Sequence, residues 1–179
     1  MTPKSAVKVI FGSMTFGKPG IEMTRVHSLD DCGAILDTFR AHGHDTIDTA
    51  RVYGQGSCEE YLGSLAPADR GLVVDTKLYP SARGNPVLQV GRTWTHSAQD
   101  VREGLLASLA ALKAPRVHTF YLHAPDRQVD WEETLGAVDA LHRKGYFERF
   151  GLSNFQSWEV ARVCELCRQH GWIMPSVYQ

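Results

Sequence analysis

The chain has 179 residues, a length that suits one domain over residues 1–179 and is too short for two ordinary domains. Apolar residues make up 43% of the chain and charged residues 22%, which excludes the disordered, collagen-like and low-complexity classes. Lys and Arg number 19 against 20 Asp and Glu, so the net charge is -1, and neither nucleic acid nor an anionic membrane surface is an expected partner.

The sequence shows neither a membrane-spanning segment nor a signal peptide. No apolar run approaches the roughly 20 residues that a membrane-spanning helix needs. The first 16 residues mix Lys4, Ser5 and Lys8 with apolar residues, which is unlike a signal peptide. We therefore expect a cytoplasmic protein.

The four cysteines are too few for a disulfide scaffold, and only Cys164 and Cys167 are close together. They share one face of a predicted helix, with His170 farther along it. A structural zinc site needs a fourth ligand and usually a tight turn between ligands, and neither is visible. We interpret the pair as packing residues, with a redox or metal role as the alternative, and predict no metal site.

Short β-rich segments alternate along the chain with longer segments of helical spacing. The predicted strands span 7–11, 46–49, 72–78, 117–123, 147–153 and 173–178. The first three predicted helices begin with capping-box pairs at Ser28 and Asp31, Ser57 and Glu60, and Ser97 and Asp100. The third carries one apolar stripe, formed by Val101, Leu105, Leu109 and Leu112. Two further helices span 130–144 and 156–170, and glycines at 43, 145 and 171 end the first, fourth and fifth helices.

This alternation predicts a parallel sheet and the α/β class, because parallel neighbours need a crossover helix. Two architectures compete: an open doubly wound sheet and a (β/α) barrel. A dinucleotide-binding doubly wound sheet carries Gly-x-Gly-x-x-Gly after its first strand, and here Gly12 is followed by Ser-Met-Thr-Phe-Gly17. The pair Gly54 and Gly56 is better explained by a turn. An NAD-linked dehydrogenase on a doubly wound sheet is therefore disfavoured.

Polar residues end several predicted strands, where (β/α) folds place their chemistry. Asp48, Lys77 and His123 each end a strand, and Tyr53 follows Asp48 in the next loop. The structural alternative is an ion pair between Asp48 and Lys77 with His123 as a core histidine. Together the four residues have the components of a proton donor. We expect Lys77 to lower the pKa of Tyr53 from about 10, Asp48 to keep Lys77 charged, and His123 to orient a carbonyl oxygen.

These and other stretches resemble the aldo-keto reductase family, and most closely its aflatoxin-aldehyde reductase branch. The matching stretches are Asp48-Thr-Ala-Arg-Val-Tyr53-Gly, Leu62-Gly63, Thr76-Lys77, Phe120-Tyr-Leu-His123-Ala-Pro-Asp126, Gly151-Leu-Ser-Asn154-Phe, Ser157-Trp-Glu-Val and Pro175-Ser-Val-Tyr-Gln179. They are spread over nearly the whole chain in the family's order.

The resemblance implies a (β/α)8 TIM barrel whose catalytic residues are Asp48, Tyr53, Lys77 and His123. It also implies that Ser153, Asn154 and Gln179 bind the nicotinamide carboxamide of NADPH. The implied reaction is hydride transfer to a small aldehyde or ketone, with Tyr53 as general acid, in an aldehyde reductase or an enzyme of secondary metabolism. A homodimer is a further possibility that the family suggests.

The segment from Tyr79 to His96 is a long loop with Pro80, Gly84, Pro86 and Gly91, a composition typical of a binding loop. Trp94 within it is expected either to line an apolar substrate cleft or to lie on the surface.

The chain length accommodates about six βα units, whereas a closed barrel has eight and usually about 250 residues. We therefore expect a reductase domain that is incomplete at its C-terminus. A fragment, a truncated gene product and a half that pairs with another chain remain open. The competing function is a non-catalytic, reductase-like module with a binding or regulatory role.

Overall fold

The computed structural model describes residues 7–83 and 88–179, so the predicted loop glycine and proline at 84 and 86 lie outside the described residues. Six strands form one sheet, β1 (Ile10–Gly12), β2 (Thr46–Asp48), β3 (Val73–Leu78), β4 (Val117–Leu122), β5 (Phe147–Leu152) and β6 (Pro175–Tyr178). Five α-helices follow them, α1 (Leu29–Ala41), α2 (Ser57–Ser64), α3 (Ala98–Leu112), α4 (Trp131–Arg143) and α5 (Ser157–His170). None of the helices in these two ranges is long and apolar enough to span a membrane.

The strand order distinguishes the two competing architectures. All pairings are parallel, and the strands lie side by side in the order in which they occur in the chain, from β1 to β6. A doubly wound sheet reverses its strand order at a switch point, whereas a (β/α)8 barrel adds each strand beside the preceding one. The α/β class and the barrel architecture are confirmed, and the described residues form five consecutive βα units followed by a sixth strand.

Most of the predicted helix starts are confirmed by their caps. The Ser28 and Ser97 hydroxyls accept hydrogen bonds from the N–H groups of Asp31 and Asp100, and α5 begins with a reciprocal capping box at Gln156. Gly171, with a φ of 64°, ends α5 as predicted.

The capping prediction at Ser57 is wrong. Gly56, with a φ of 92°, is the N-cap of α2, because the turn before the helix runs through left-handed backbone from Gly54 to Gly56. The Ser57 hydroxyl closes that turn instead, donating to the Gly54 carbonyl at 2.6 Å and accepting from the Lys18 N–H at 3.1 Å.

The hydrophobic core lies between the sheet and the helices. Alternate strand residues such as Ile47, Leu78, Phe120 and Phe150 are fully buried on the helix-facing side. A Cβ atom added at Gly104 of α3 would lie 2.5 Å from the Leu78 side chain, which shows how closely α3 packs there. The opposite side of the sheet carries polar groups.

Those polar groups include Asp75 and Lys77, which stand two residues apart on β3, and Thr119 on the neighbouring strand β4. The buried polar side chains of these strands therefore lie on the inner side of the sheet, where (β/α) folds place their active sites near the carboxyl ends of the strands.

The loop that follows β3 places Trp94 in the core rather than in a cleft. The Trp94 side chain is buried, its indole N–H donates to the Val90 carbonyl at 3.1 Å, and the Arg92 guanidinium lies 4.0 Å from its ring centre. Both expectations for Trp94 are wrong, because the loop folds back on itself through these contacts. Tyr79 and Leu88 of the same loop line a cavity instead.

Candidate active site

Four predicted side chains meet at the carboxyl end of the sheet. Asp48 is the last residue of β2, Lys77 lies near the end of β3, His123 directly follows β4, and Tyr53 begins a 3₁₀ turn after β2. Because neighbouring parallel strands end at the same edge, residues distant in sequence become adjacent there.

Lys77 is the centre of this group. Its Nζ atom donates to Asp48 Oδ2 at 2.6 Å, to the Thr49 carbonyl at 3.0 Å and to the Tyr53 hydroxyl oxygen at 3.2 Å. An ammonium has three protons, so these contacts use all of them and hold the group in one position. The Tyr53 oxygen accepts from Lys77, which leaves the phenolic proton available to a different acceptor.

Burial opposes charge on both members of the ion pair. The Lys77 side chain is fully buried and that of Asp48 nearly so. Burial lowers the pKa of Lys77 and raises the pKa of Asp48, and the attraction between the two groups offsets part of each shift. This explains why the pair also needs the Thr49 carbonyl and the Tyr53 hydroxyl as further partners.

The expected lowering of the Tyr53 pKa is wrong. Burial raises the pKa of this phenol, and the nearby Asp48 charge raises it further. Lys77 does not reverse the shift, since its charge is compensated by a carboxylate that lies closer to it than the phenol does. Tyr53 is therefore a protonated hydrogen-bond donor at neutral pH.

His123 is a neutral imidazole held between two aromatic rings. The rings of Tyr53 and Tyr79 lie 5.7 Å and 5.5 Å from it, both nearly perpendicular to it. Burial and the Lys77 charge lower the pKa of His123 to about 3. Its Nδ1 atom is buried and has no hydrogen-bond partner among the described residues. The imidazole carries no charge at neutral pH and has one N–H donor and one acceptor nitrogen.

The three residues expected to bind the cofactor carboxamide lie beside one another. Asn154, with a φ of 62°, donates from Nδ2 to Ser153 Oγ at 2.9 Å and to the His123 carbonyl at 2.8 Å. Its backbone N–H donates to the Gln179 carbonyl at 3.2 Å. The Gln179 side chain lies near enough to the Asp48 carboxylate to oppose the rise in its pKa. Asn154 thus joins the ends of β4, β5 and β6.

This donor set suits a carboxamide, which offers one acceptor oxygen and two N–H donors. A hydroxyl and two amide side chains supply both kinds of partner. Both hydrogens of Asn154 Nδ2 are used within the protein, so the atom that this side chain can offer to a carboxamide is the acceptor Oδ1.

A buried carboxylate that we did not single out as functional supports the group from behind. The Glu59 side chain is fully buried and accepts hydrogen bonds from Arg51 Nη1 and from Thr76 Oγ1, both at 2.6 Å. Arg51 is two residues before Tyr53, and Thr76 is adjacent to Lys77, so Glu59 connects the two segments that carry the phenol and the ammonium. The sequence signal available was the Arg and Glu on either side of the glycine turn.

A second buried histidine was also missed. His96 is almost fully buried, and its Nε2 atom lies 3.2 Å from the Leu78 carbonyl, which also accepts the His123 backbone N–H at 2.9 Å. Burial lowers the pKa of His96 to about 4, so the ring is neutral and donates from Nε2 to this carbonyl. His96 therefore holds the strand end between Lys77 and His123. A histidine in a loop gives no pattern that would have predicted this contact.

The comparisons with known proteins identify the family of the chain. Residues 8–179 match the aldo/keto reductase family. The chain is 45% identical to the aldo-keto reductase pigE of Monascus ruber over 100% of this chain and 52% of that protein. It is 41% identical to aflatoxin B1 aldehyde reductase member 4 of Homo sapiens over 89% of this chain and 46% of that protein. The human aldo-keto reductase family 7 member A3 is 40% identical over the same shares.

The chain spans about half the length of the curated relatives that it matches. The match nevertheless covers nearly every described residue, and relatives named as aflatoxin B1 aldehyde reductases confirm the resemblance seen in the sequence. The chain belongs to the aldo/keto reductase family.

Proposed function

We propose that this chain carries the catalytic residues of an NADPH-dependent reductase that converts an aldehyde or ketone to an alcohol, with Tyr53 as the general acid. The observation that carries the proposal is the contact between Lys77 Nζ and the Tyr53 oxygen at 3.2 Å, within a group that also contains Asp48 and His123. Relatives whose names describe aldehyde reductases support the substrate class.

The role of Tyr53 follows from where its proton can go. Lys77 donates to the phenol oxygen, so the phenolic O–H points away from the ammonium. A carbonyl oxygen beside Tyr53 and the neutral His123 ring would accept hydrogen bonds from both residues. As negative charge develops on that oxygen, Tyr53 transfers its proton to it, and the Lys77 ammonium stabilises the phenolate that remains. The raised pKa of free Tyr53 keeps the proton in place until that charge develops.

Ser153, Asn154 and Gln179 would hold the carboxamide of NADPH, whose nicotinamide ring supplies the hydride. Their hydrogen bonds would fix the orientation of that ring relative to Tyr53. Because the Asn154 side chain donates to the His123 carbonyl and Gln179 lies near Asp48, the same residues would also help to position the proton-donating group.

The proposal is tested by the variant Tyr53→Phe of the full chain. NADPH oxidation with 4-nitrobenzaldehyde is followed by absorbance, and NADPH binding is followed by quenching of tryptophan fluorescence. We expect turnover to fall by at least about 10²-fold, since general acid catalysis contributes about that much or more, while cofactor quenching remains saturable. The control is Tyr61→Phe, whose hydroxyl donates to the His27 carbonyl outside the site and should leave turnover intact.

Two results would contradict the proposal. Full turnover by Tyr53→Phe would show that the phenol is not the acid. Absence of both cofactor quenching and turnover in the unmodified chain would support the non-catalytic module instead.

A further inference from the structure

A cavity of about 150 Å³ opens beside Tyr53 and His123. Tyr53 and His123 form one wall, and the loops after β1, β2 and β3 form the rest. The apolar side chains that line it are Met14, Ile21, Met23, Val52 and Leu88. The inference that follows rests on the proposed function, because it identifies the substrate by the space next to the proton donor.

The volume indicates the size of the group that fits beside Tyr53 and His123. An engineered apolar cavity of about 150 Å³ in another protein binds benzene, so this cavity accommodates one aromatic ring or an aliphatic chain of similar volume. Apolar walls with two methionines favour a hydrophobic body, since thioethers adapt to different shapes and contact aromatic rings favourably.

Among the described residues that line the cavity, the one formal charge is negative. Glu22 is the only residue with a formally charged side chain among the described lining residues, and it is exposed to solvent. Lys18, four residues earlier, is paired with Glu60 at 2.9 Å, and Lys77 is buried in its own ion pair. A substrate carboxylate inside this cavity would therefore meet a like charge.

The position of Glu22 is fixed by the turn that contains it. The buried Thr24 donates from Oγ1 to the Lys18 carbonyl at 2.9 Å and to the Ile21 carbonyl at 2.8 Å. Its backbone N–H also donates to the Ile21 carbonyl at 3.2 Å. Met23 has a φ of 71°, a left-handed conformation that this turn holds in place. These contacts hold the backbone of Glu22 beside the cavity.

We propose that Glu22 determines substrate specificity by charge: the cavity selects small aldehydes or ketones with an apolar body and a neutral or cationic distal group, and disfavours carbonyl compounds that carry a carboxylate.

The first test compares 4-nitrobenzaldehyde with 4-carboxybenzaldehyde, which have similar shapes and differ in charge. The measured quantity is the ratio of the two kcat/KM values, neutral over anionic, for the full chain with NADPH. We expect Glu22→Gln to lower this ratio about fivefold at low salt and Glu22→Lys to lower it further. The difference should shrink at about 1 M salt, where charges are screened within about 3 Å. Comparing ratios between variants removes the intrinsic reactivity of each aldehyde.

The control is Glu148→Gln, which removes the same charge from an exposed residue near the opposite end of β5. This variant should leave the ratio unchanged. If it lowers the ratio as much as Glu22→Gln does, net charge rather than the cavity governs the preference, and the proposal is wrong.

A second test measures binding without turnover. The chain has four methionines, and Met14 and Met23 line the cavity whereas Met174 lies just before β6. With ¹³C-methyl methionine, 4-nitrobenzaldehyde should shift the Met14 and Met23 resonances and leave that of Met174 in place. The carboxylate analogue should bind about fivefold more weakly, and Glu22→Gln should remove the difference.

The two readouts separate the two proposals. If the unmodified chain binds 4-nitrobenzaldehyde more tightly than the carboxylate analogue but shows no turnover, the proposed function is refuted and the inference stands. Turnover or binding that favours the carboxylate, or that Glu22→Gln does not change, would refute the inference.

Discussion

The buried, neutral His96 makes the stability of the protein sensitive to mild acid. Its pKa is about 4 in the folded chain, against 6.5 for an unperturbed histidine. Below pH 6.5 the unfolded chain binds a proton that the folded chain does not, so stability falls as the pH falls, and the loss is complete only below the folded pKa. A group with this shift contributes its full stability above pH 6.5.

The magnitude follows from the size of the shift. Each pH unit between the two pKa values costs about 1.4 kcal/mol, so the His96 contribution is about 2 kcal/mol smaller at pH 5 than at pH 7, and about 3 kcal/mol smaller at pH 4. The free energy of unfolding of a domain is only about 5–15 kcal/mol, so this loss is large enough to measure.

The assay is urea unfolding of the unmodified chain and of His96→Gln at pH 7 and pH 5. Glutamine keeps an N–H donor for the Leu78 carbonyl and cannot titrate, so the variant should lose about 2 kcal/mol less stability than the unmodified chain over this interval. The exposed His42→Gln controls for the loss of an imidazole. Equal losses in the unmodified chain and in His96→Gln would show that His96 is not held neutral by burial.

Two further predictions concern packing behind the site. A Cβ atom at Gly63 would lie 2.1 Å from the Ala111 carbonyl oxygen, so Gly63→Ala should lower the free energy of unfolding by about 2 kcal/mol or more in urea, despite the better helix propensity of alanine. In the control Gly136→Ala the nearest atom is 3.4 Å away in the Trp172 side chain, and stability should stay level or rise; equal destabilisation of both variants would contradict the packing argument. Glu59→Gln should lower the free energy of unfolding by about 3–5 kcal/mol, because it leaves the nearly buried Arg51 guanidinium without its carboxylate. The control Glu60→Gln removes an exposed carboxylate and should lower it by about 1 kcal/mol or less. Similar losses at these two adjacent positions, measured by thermal unfolding, would refute the role assigned to Glu59.

The sequence predicted best those features that depend on local patterns. All six strands and the apolar stripe from Val101 to Leu112 were recognised, because alternation and helical spacing are visible in short windows. The first strand begins at Ile10 rather than at residue 7, since its partner β2 has only three residues to pair with. Ser57 was misassigned because the hydroxyl that suits a helix cap also suits the turn before it.

The sequence predicted which residues form the candidate site but not how their pKa values are shifted. Motif order identified Asp48, Tyr53, Lys77 and His123, and the structure brings them together, while their individual roles remain predictions. The direction of the Tyr53 pKa shift was wrong because it depends on burial, which the motif does not contain. Contacts to main-chain carbonyls, such as that of Lys77 with Thr49, depend on the path of the backbone and cannot be predicted from the pattern of side chains in the sequence.

The loops around the cavity and the strand ends beneath it are built from different parts of the chain. Three of the four proposed reacting groups sit at the ends of paired strands, where a shift of the backbone would disturb neighbouring strands as well. Glu22, Met23 and Leu88 belong to connecting segments that make no ladder with the sheet. Substitutions in these loops could therefore change the proposed substrate preference while leaving the proposed proton-transfer residues in place.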